Sequence, residues 1–150
     1  MNQERYEFEA DPIATVYEFV SVGAKGNIKK LVIFTTIEPP DIYNLAFVDI
    51  DPQTGEQSDL ITTNNGDSQK VLATVAATVL DFTDSYPNAL VYATGSTPAR
   101  TRLYRIGIAN NLNDIKEAFE VLGYASGQWY DFQKGVDYQA FLVKRKPQTT

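Results

Sequence analysis

The sequence predicts an α+β domain in which a largely antiparallel sheet, an N-terminal meander plus C-terminal strands, packs about three helices on one face. Three observations carry this prediction. Up to about residue 62 the chain is dominated by β-branched and aromatic runs separated by turn formers. From about Ser68 the apolar residues recur with the period of a helix, and from Trp129 onward they alternate again. The 150 residues fit one domain, 1–150, without an internal repeat, a low-complexity stretch or a linker.

Taken in order, strands are predicted at Tyr6 to Glu9, Thr15 to Val22, Ile28 to Ile37 and Ile42 to Ile50. Gly23-Ala24-Lys25-Gly26-Asn27 reads as a hairpin loop. Asp51-Pro52-Gln53-Thr54-Gly55 supplies a further turn, returning Gln57 to Thr62 beside the preceding strand. Leu72, Val75, Ala76 and Val79 then fall at i, i+3, i+4 and i+7, marking one face of a helix from about Ser68 to about Thr83. Asn65-Gly66-Asp67 announces its start, with Asp67 suited to cap the first turn, and Tyr86-Pro87-Asn88 ends it. After a strand from Ala89 to Thr94, Thr97 before Pro98 places an N-cap residue ahead of a proline at the first helical position. That helix is predicted to end near Gly107. Leu112, Ile115, Phe119 and Leu122 define a third helix closed by Gly123, and Trp129 to Phe132 and Tyr138 to Lys146 alternate as two last strands.

Absent residues narrow the chemistry. Without cysteine there is no disulfide, thiolate nucleophile or thiolate zinc site, and without histidine serine–histidine catalysis and imidazole metal binding also fall away. Carboxylate chemistry with or without a hard cation, Lys or Tyr acid–base work, and electrostatic positioning remain. The net charge of -6 and pI near 4.6 argue against broad capture of nucleic acid. Lys144-Arg145-Lys146-Pro147 reads as a solvated terminus, because three charges make a small footprint. No apolar run approaches the roughly 18 residues of a membrane span. Met1-Asn2-Gln3-Glu4-Arg5 lacks the basic start and apolar stretch of a secretory signal, so a cytoplasmic location is expected.

The segment from Leu90 to Arg105 is the one place that looks built for an anion. An apolar strand runs through Gly95-Ser96-Thr97 into a helix with three arginines, and no acidic residue lies between Asp84 and Asp114. Helix-start N–H groups donate to phosphate or carboxylate, so Ser96 and Thr97 are candidates to orient such a ligand, and Arg100 and Arg102 to neutralise it. Arg100, in the first turn, is the best placed. Arg102 and Arg105 are about 60° apart on a different side of the helix, so all three cannot clasp one small ligand. In the structural alternative, Thr97 only caps the helix and the arginines pair with carboxylates of the sheet. The turn has neither the Gly-Lys-Ser/Thr ending of a phosphate loop nor the glycine spacing of a dinucleotide fold, and no cofactor is expected.

Asp49 and Asp51, two apart on a strand, would share a face and hold Mg²⁺, with Asp67 or Asp59 as a third ligand. The plainer reading makes them solvated acids at a strand end. Most aromatics are assigned to the core, with Tyr92 and Tyr104 flanking the arginine motif. Three functional classes follow. The preferred one is a non-enzymatic binding or regulatory module for a small anion, with its site after Thr97. The second is a Mg²⁺-dependent phosphoryl or phosphodiester hydrolase using Asp49, Asp51 and an arginine. The third is an acidic domain that binds a basic protein partner.

Asn64-Asn65-Gly66-Asp67-Ser68 followed by Lys70-Val71-Leu72-Ala73-Thr74-Val75, and Gly95-Ser96-Thr97 followed by Arg100-Thr101-Arg102-Leu103-Tyr104-Arg105, resemble a family of small uncharacterised proteins found mainly in Bacteroidetes. Trp129, Phe132 and Tyr138 to Val143 continue the resemblance over nearly the whole chain. The family is a domain of unknown function. The resemblance therefore implies a shared fold and brings no activity, cofactor or catalytic residue.

Overall fold

The computed structural model describes residues 4–38, 41–51, 53–58 and 66–147. Pro52, Asn64, Asn65 and residues 59–62, including Asp59, lie outside them. The chain forms the predicted α+β arrangement: β1 (Glu9–Ala10), β2 (Val16–Gly23), β3 (Gly26–Glu38), β4 (Ile42–Ile50), β5 (Gln57–Ser58), α1 (Ser68–Ser85), β6 (Leu90–Ala93), α2 (Pro98–Asn110), α3 (Leu112–Ala118), β7 (Phe119–Ala125), β8 (Gln128–Asp131) and β9 (Ala140–Arg145). The sheet runs β1-β2-β3-β4-β6-β9-β7-β8, with β5 paired to the far end of β4. Every pairing is antiparallel except β4 with β6, because α1 carries the chain across the sheet before β6 forms.

Register decides which side chains meet the helices. Tyr17 opposes Val32, Val32 opposes Phe47, Leu45 opposes Ala93, and Val143 lies between Val91 and Val121. These residues form one face, and α1 covers it with Val71, Val75, Val79 and Phe82. Of the helical spacing read from Leu72 to Val79, Val75 and Val79 lie in this core, while Leu72 and Ala76 are half-buried beside it. On the opposite face Tyr124 and Trp129 are cross-strand partners, and Tyr92 meets Trp129 edge-on at 6.3 Å.

Several boundaries move, each for a physical reason. The predicted third helix stops at Ala118, and Phe119 to Ala125 form β7 instead. Phe119 and Leu122 fit a helical period from Ile115, but Phe119, Val121 and Gly123 also fit a period of two, and pairing with β9 and β8 decides between them. Gly123 is not a helix cap. A Cβ there would lie 2.4 Å from the Tyr138 ring, so the glycine lets that buried ring rest on the sheet. α2 continues past Gly107 to Asn110, and Gly107 serves the close approach of α2 to Leu72 of α1, where a Cβ would meet Leu72 at 2.9 Å. Asp67 precedes α1 without capping it; its carboxylate accepts from the Tyr6 and Ser21 hydroxyls. The expected β1 shortens to two residues, while the β2–β3 loop is tighter than read, with Gly23 opposite Gly26 and Gly26 at φ +93°.

The chain between β1 and β2 folds around Asp11, which accepts from the N–H groups of Thr15 at 2.7 Å and Val16 at 3.0 Å and from the Thr15 hydroxyl at 3.2 Å. The Val16 N–H, followed by Thr15, holds the Asp11 carboxyl below its ordinary value of 3.8. A depressed native value stabilises the fold fully above the unfolded pKa, and that contribution disappears as pH falls through the native one. Acid titration of stability is therefore expected to show a smaller loss below the ordinary aspartate range in Asp11→Asn than in the wild type, which equal acid slopes would contradict. Gly123→Ala is expected to destabilise by about 1–3 kcal/mol through overpacking against Tyr138. Urea unfolding reads this directly, and an unchanged midpoint would contradict the packing.

Candidate functional site

The arginine motif begins where the sequence places it. Thr97 is extended at φ -134°, its hydroxyl accepts from the Arg100 N–H at 3.2 Å, and Pro98 starts the helix. Gly95 is pressed onto the same turn. A Cβ there would lie 2.4 Å from the Thr101 nitrogen, and the Gly95 N–H donates to the Thr101 hydroxyl at 2.9 Å. Small residues at Gly95-Ser96-Thr97 thus let the strand close tightly on the helix. Ser96 and Arg102 are exposed, and Thr97 is half-buried.

Arg100 turns the other way. It is 5% exposed, and its Nη1 donates to the Phe47 carbonyl at 2.6 Å on the central strand β4. Its guanidinium also lies 5.4 Å from the Phe47 ring centroid, a distance shared by the Lys30 ammonium. Lys30 in turn pairs with Asp49 at 2.6 Å, both side chains 5% exposed. The structure therefore gathers Asp49 and Arg100 around Phe47 in the interior, and it separates Arg100 from Arg102. Asp51 is apart from this group, accepting from the Gln53 and Thr54 N–H groups in a turn. Among the described residues no group of three or more acidic side chains is placed to hold a metal ion.

Arg105 and Arg145 also have structural partners. Arg105 Nη1 donates to the Val136 carbonyl at 3.3 Å and lies 3.6 Å from Asp137. Arg145, read as part of a solvated terminus, ties β9 to the end of α1. It lies 2.8 Å from Asp84 and donates to the Thr83 hydroxyl at 3.0 Å. The sequence signal for this was present but ambiguous, since Arg145 continues the alternation of the last strand.

A pocket of about 100 Å³ lies between α1, the α2–α3 pair and the inner face of β4, β6, β7 and β9. Leu72, Val75, Ala76 and Val79 form one wall, Tyr104, Ile108 and Ile115 another, and Val91, Val121 and Phe141 the floor. No charged side chain lines it. Leu72, Ala76 and Ile108 are half-buried at its margin. Sequence reasoning assigned the α1 residues to the core but had no signal for the space beside them, which depends on how α2 crosses α1 at Gly107. On the outer side of α1 a groove of about 310 Å³ runs past Arg5, Phe8, Leu80, Asp81 and Asp84. Tyr17 donates to Asp81 at 2.6 Å; burial, then that carboxylate, pushes the phenol far above its ordinary pKa, so it remains a donor.

A family model matches residues 2–146. The chain belongs to the family of unknown function DUF6934. Among the described residues of this DUF6934 domain, that match covers the arginine motif, the three helices and the strands of the sheet. No curated protein and no solved structure matches the chain. No helix among the described residues is long and apolar enough to cross a membrane.

Asp49→Ala in this DUF6934 domain is expected to cost about 3–5 kcal/mol, because it removes the carboxylate beside the buried Lys30 ammonium. Lys30→Met combined with Asp49→Leu is expected to recover most of the loss. Equal destabilisation of the single and double variants in chemical unfolding would contradict a structural ion pair.

Proposed function

We propose that this DUF6934 domain is a non-enzymatic binding module whose ligand is a small, uncharged, largely apolar molecule held between the helix layer and the sheet. The observation that carries the reading is the apolar pocket of about 100 Å³. Protein interiors are close-packed, so space of this size beside a core is uncommon. An engineered apolar cavity of about 150 Å³ binds benzene, which sets the scale of a ligand this pocket would take. Its lining has no carboxylate, lysine or arginine to neutralise an ion, and no nucleophile beyond the Tyr104 hydroxyl. Of the groups that would serve an anion after Thr97, the Thr97 hydroxyl accepts from the Arg100 N–H and the Arg100 side chain is directed at Phe47. Acidic surface charge is compatible with a neutral ligand, whose entry does not depend on long-range steering.

Thermal unfolding with benzene and toluene tests the reading. A ligand at 100 times its dissociation constant stabilises by about 2.7 kcal/mol, or roughly 5–10 °C for a chain of this size. Ala76→Leu places extra methyl groups in the pocket from the face of a helix that leucine favours. It is expected to raise the ligand-free stability by about 0.5–2 kcal/mol and to abolish the shift by either probe. Absence of a shift in the wild type would refute the reading.

A further inference from the structure

The three helices, the rings of Tyr6 and Phe8 and the β8–β9 connection with Phe132 and Tyr138 all pack on the inner face of the sheet. No helix or strand among the described residues lies over the other face. A sheet face left to water ordinarily carries polar residues at its outward positions. Here many of those positions are apolar. Register sets Leu142 between Tyr92 and Leu122, all three half-buried, and Ile33 occupies an equivalent outward position on β3. Trp129, opposite Tyr124, and Val20 are each 40% exposed. Apolar surface that continues across strands in this way marks a contact with another molecule.

The charges on this face are matched mostly within it. Glu18 lies 2.8 Å from Lys29, and Glu120 stands opposite Lys144. Glu9 and Asp131 belong to the two edge strands, β1 and β8, where an interface has its polar rim. We infer that two copies of the chain associate through this face, sheet against sheet, with the helix layers outermost. A charge-balanced face has no net charge for a strongly basic or acidic partner to complement. An identical face, equally apolar and equally balanced, covers it without setting unpaired like charges together, although the chain as a whole carries a net charge of -6. The size also fits. Outward positions on β2, β3, β4, β6, β9, β7 and β8, about three to a strand, supply the roughly twenty residues that a standard interface takes from each partner. Sheets stacked face to face lie about 10 Å apart, with their strands within about 30° of each other. A two-fold axis through the face makes the contact self-complementary, and Trp129 with Tyr92 and Tyr124 supplies the aromatic anchors on which such contacts depend.

Sedimentation velocity over a wide range of protein concentration tests the inference, with Trp129, the only tryptophan of the chain, as a reporter of the face. Wild-type protein is expected to sediment as twice the 16.7 kDa chain at high concentration. Leu142→Glu sets a charge at the centre of the interface and is expected to weaken the dimer by about thirtyfold or more. Val20→Glu, at a position already exposed, takes its place if Leu142→Glu does not keep the wild-type circular dichroism. As the mass falls from two chains to one, on dilution or in the variant, the Trp129 emission is expected to move to longer wavelength. One chain at every concentration overturns the inference. A dimer that a folded variant leaves intact, or a fall to one chain with unchanged Trp129 emission, places the contact on another surface and overturns it as well.

Discussion

Phe82 lies flat on Phe34 with ring centroids 4.0 Å apart and planes within 2°, and it meets Tyr43 edge-on at 5.0 Å. Fully buried, it anchors the C-terminal half of α1 over β3 and β4. The inner face of the sheet is hydrophobic from Tyr17 to Val121, so it must be covered, and α1, with 18 residues, is the longest helix of the described residues. With α1 held there, β6 is delivered parallel to β4, and the α2–α3 pair covers the remaining strands. The pocket occupies the space between these two coverings, where Gly107 brings α2 against Leu72 without a side chain of its own.

The charges inside the domain belong to the same frame. Phe47 presents its ring to both Arg100 and Lys30 and its carbonyl to Arg100, so one residue of the central strand receives the start of α2 and the counter-charged pair of β3 and β4. Buried pairs of this kind add little net stability, since desolvation offsets most of the attraction, but they disfavour arrangements that would separate them. The Arg100 contacts with Phe47 tie the start of α2 to the sheet. Arg100 and Arg105 of the arginine island after Thr97 are therefore spent on architecture, and the pocket is lined by uncharged residues.

This division bears on function. The two carboxylates weighed for metal chemistry are committed elsewhere, Asp49 to a buried ion pair and Asp51 to a turn. The pocket has the opposite character, with aliphatic and aromatic walls broken by Tyr104 and Asn111.

Local elements were legible in the residues themselves. Thr97 before Pro98 starts α2 because a hydroxyl cap and a fixed proline φ act within one turn, and Leu72 to Val79 mark the core face of α1 because helical spacing is a local property. The meander followed from alternating apolar residues punctuated by turns. Phe119 to Ala125 were not legible, since helical and extended periods both fit and only the neighbouring β9 chooses between them. The destinations of Arg100 and Arg145 were equally hidden, because long basic side chains reach partners far along the chain, 53 residues away for Arg100 and Phe47. The pocket belongs wholly to the tertiary structure. Sequence alone determined which segments are helix or strand where one or two turns of chain suffice to favour the conformation; the packing of distant segments decided which polar groups were satisfied and where space remained, because both depend on contacts no local pattern encodes.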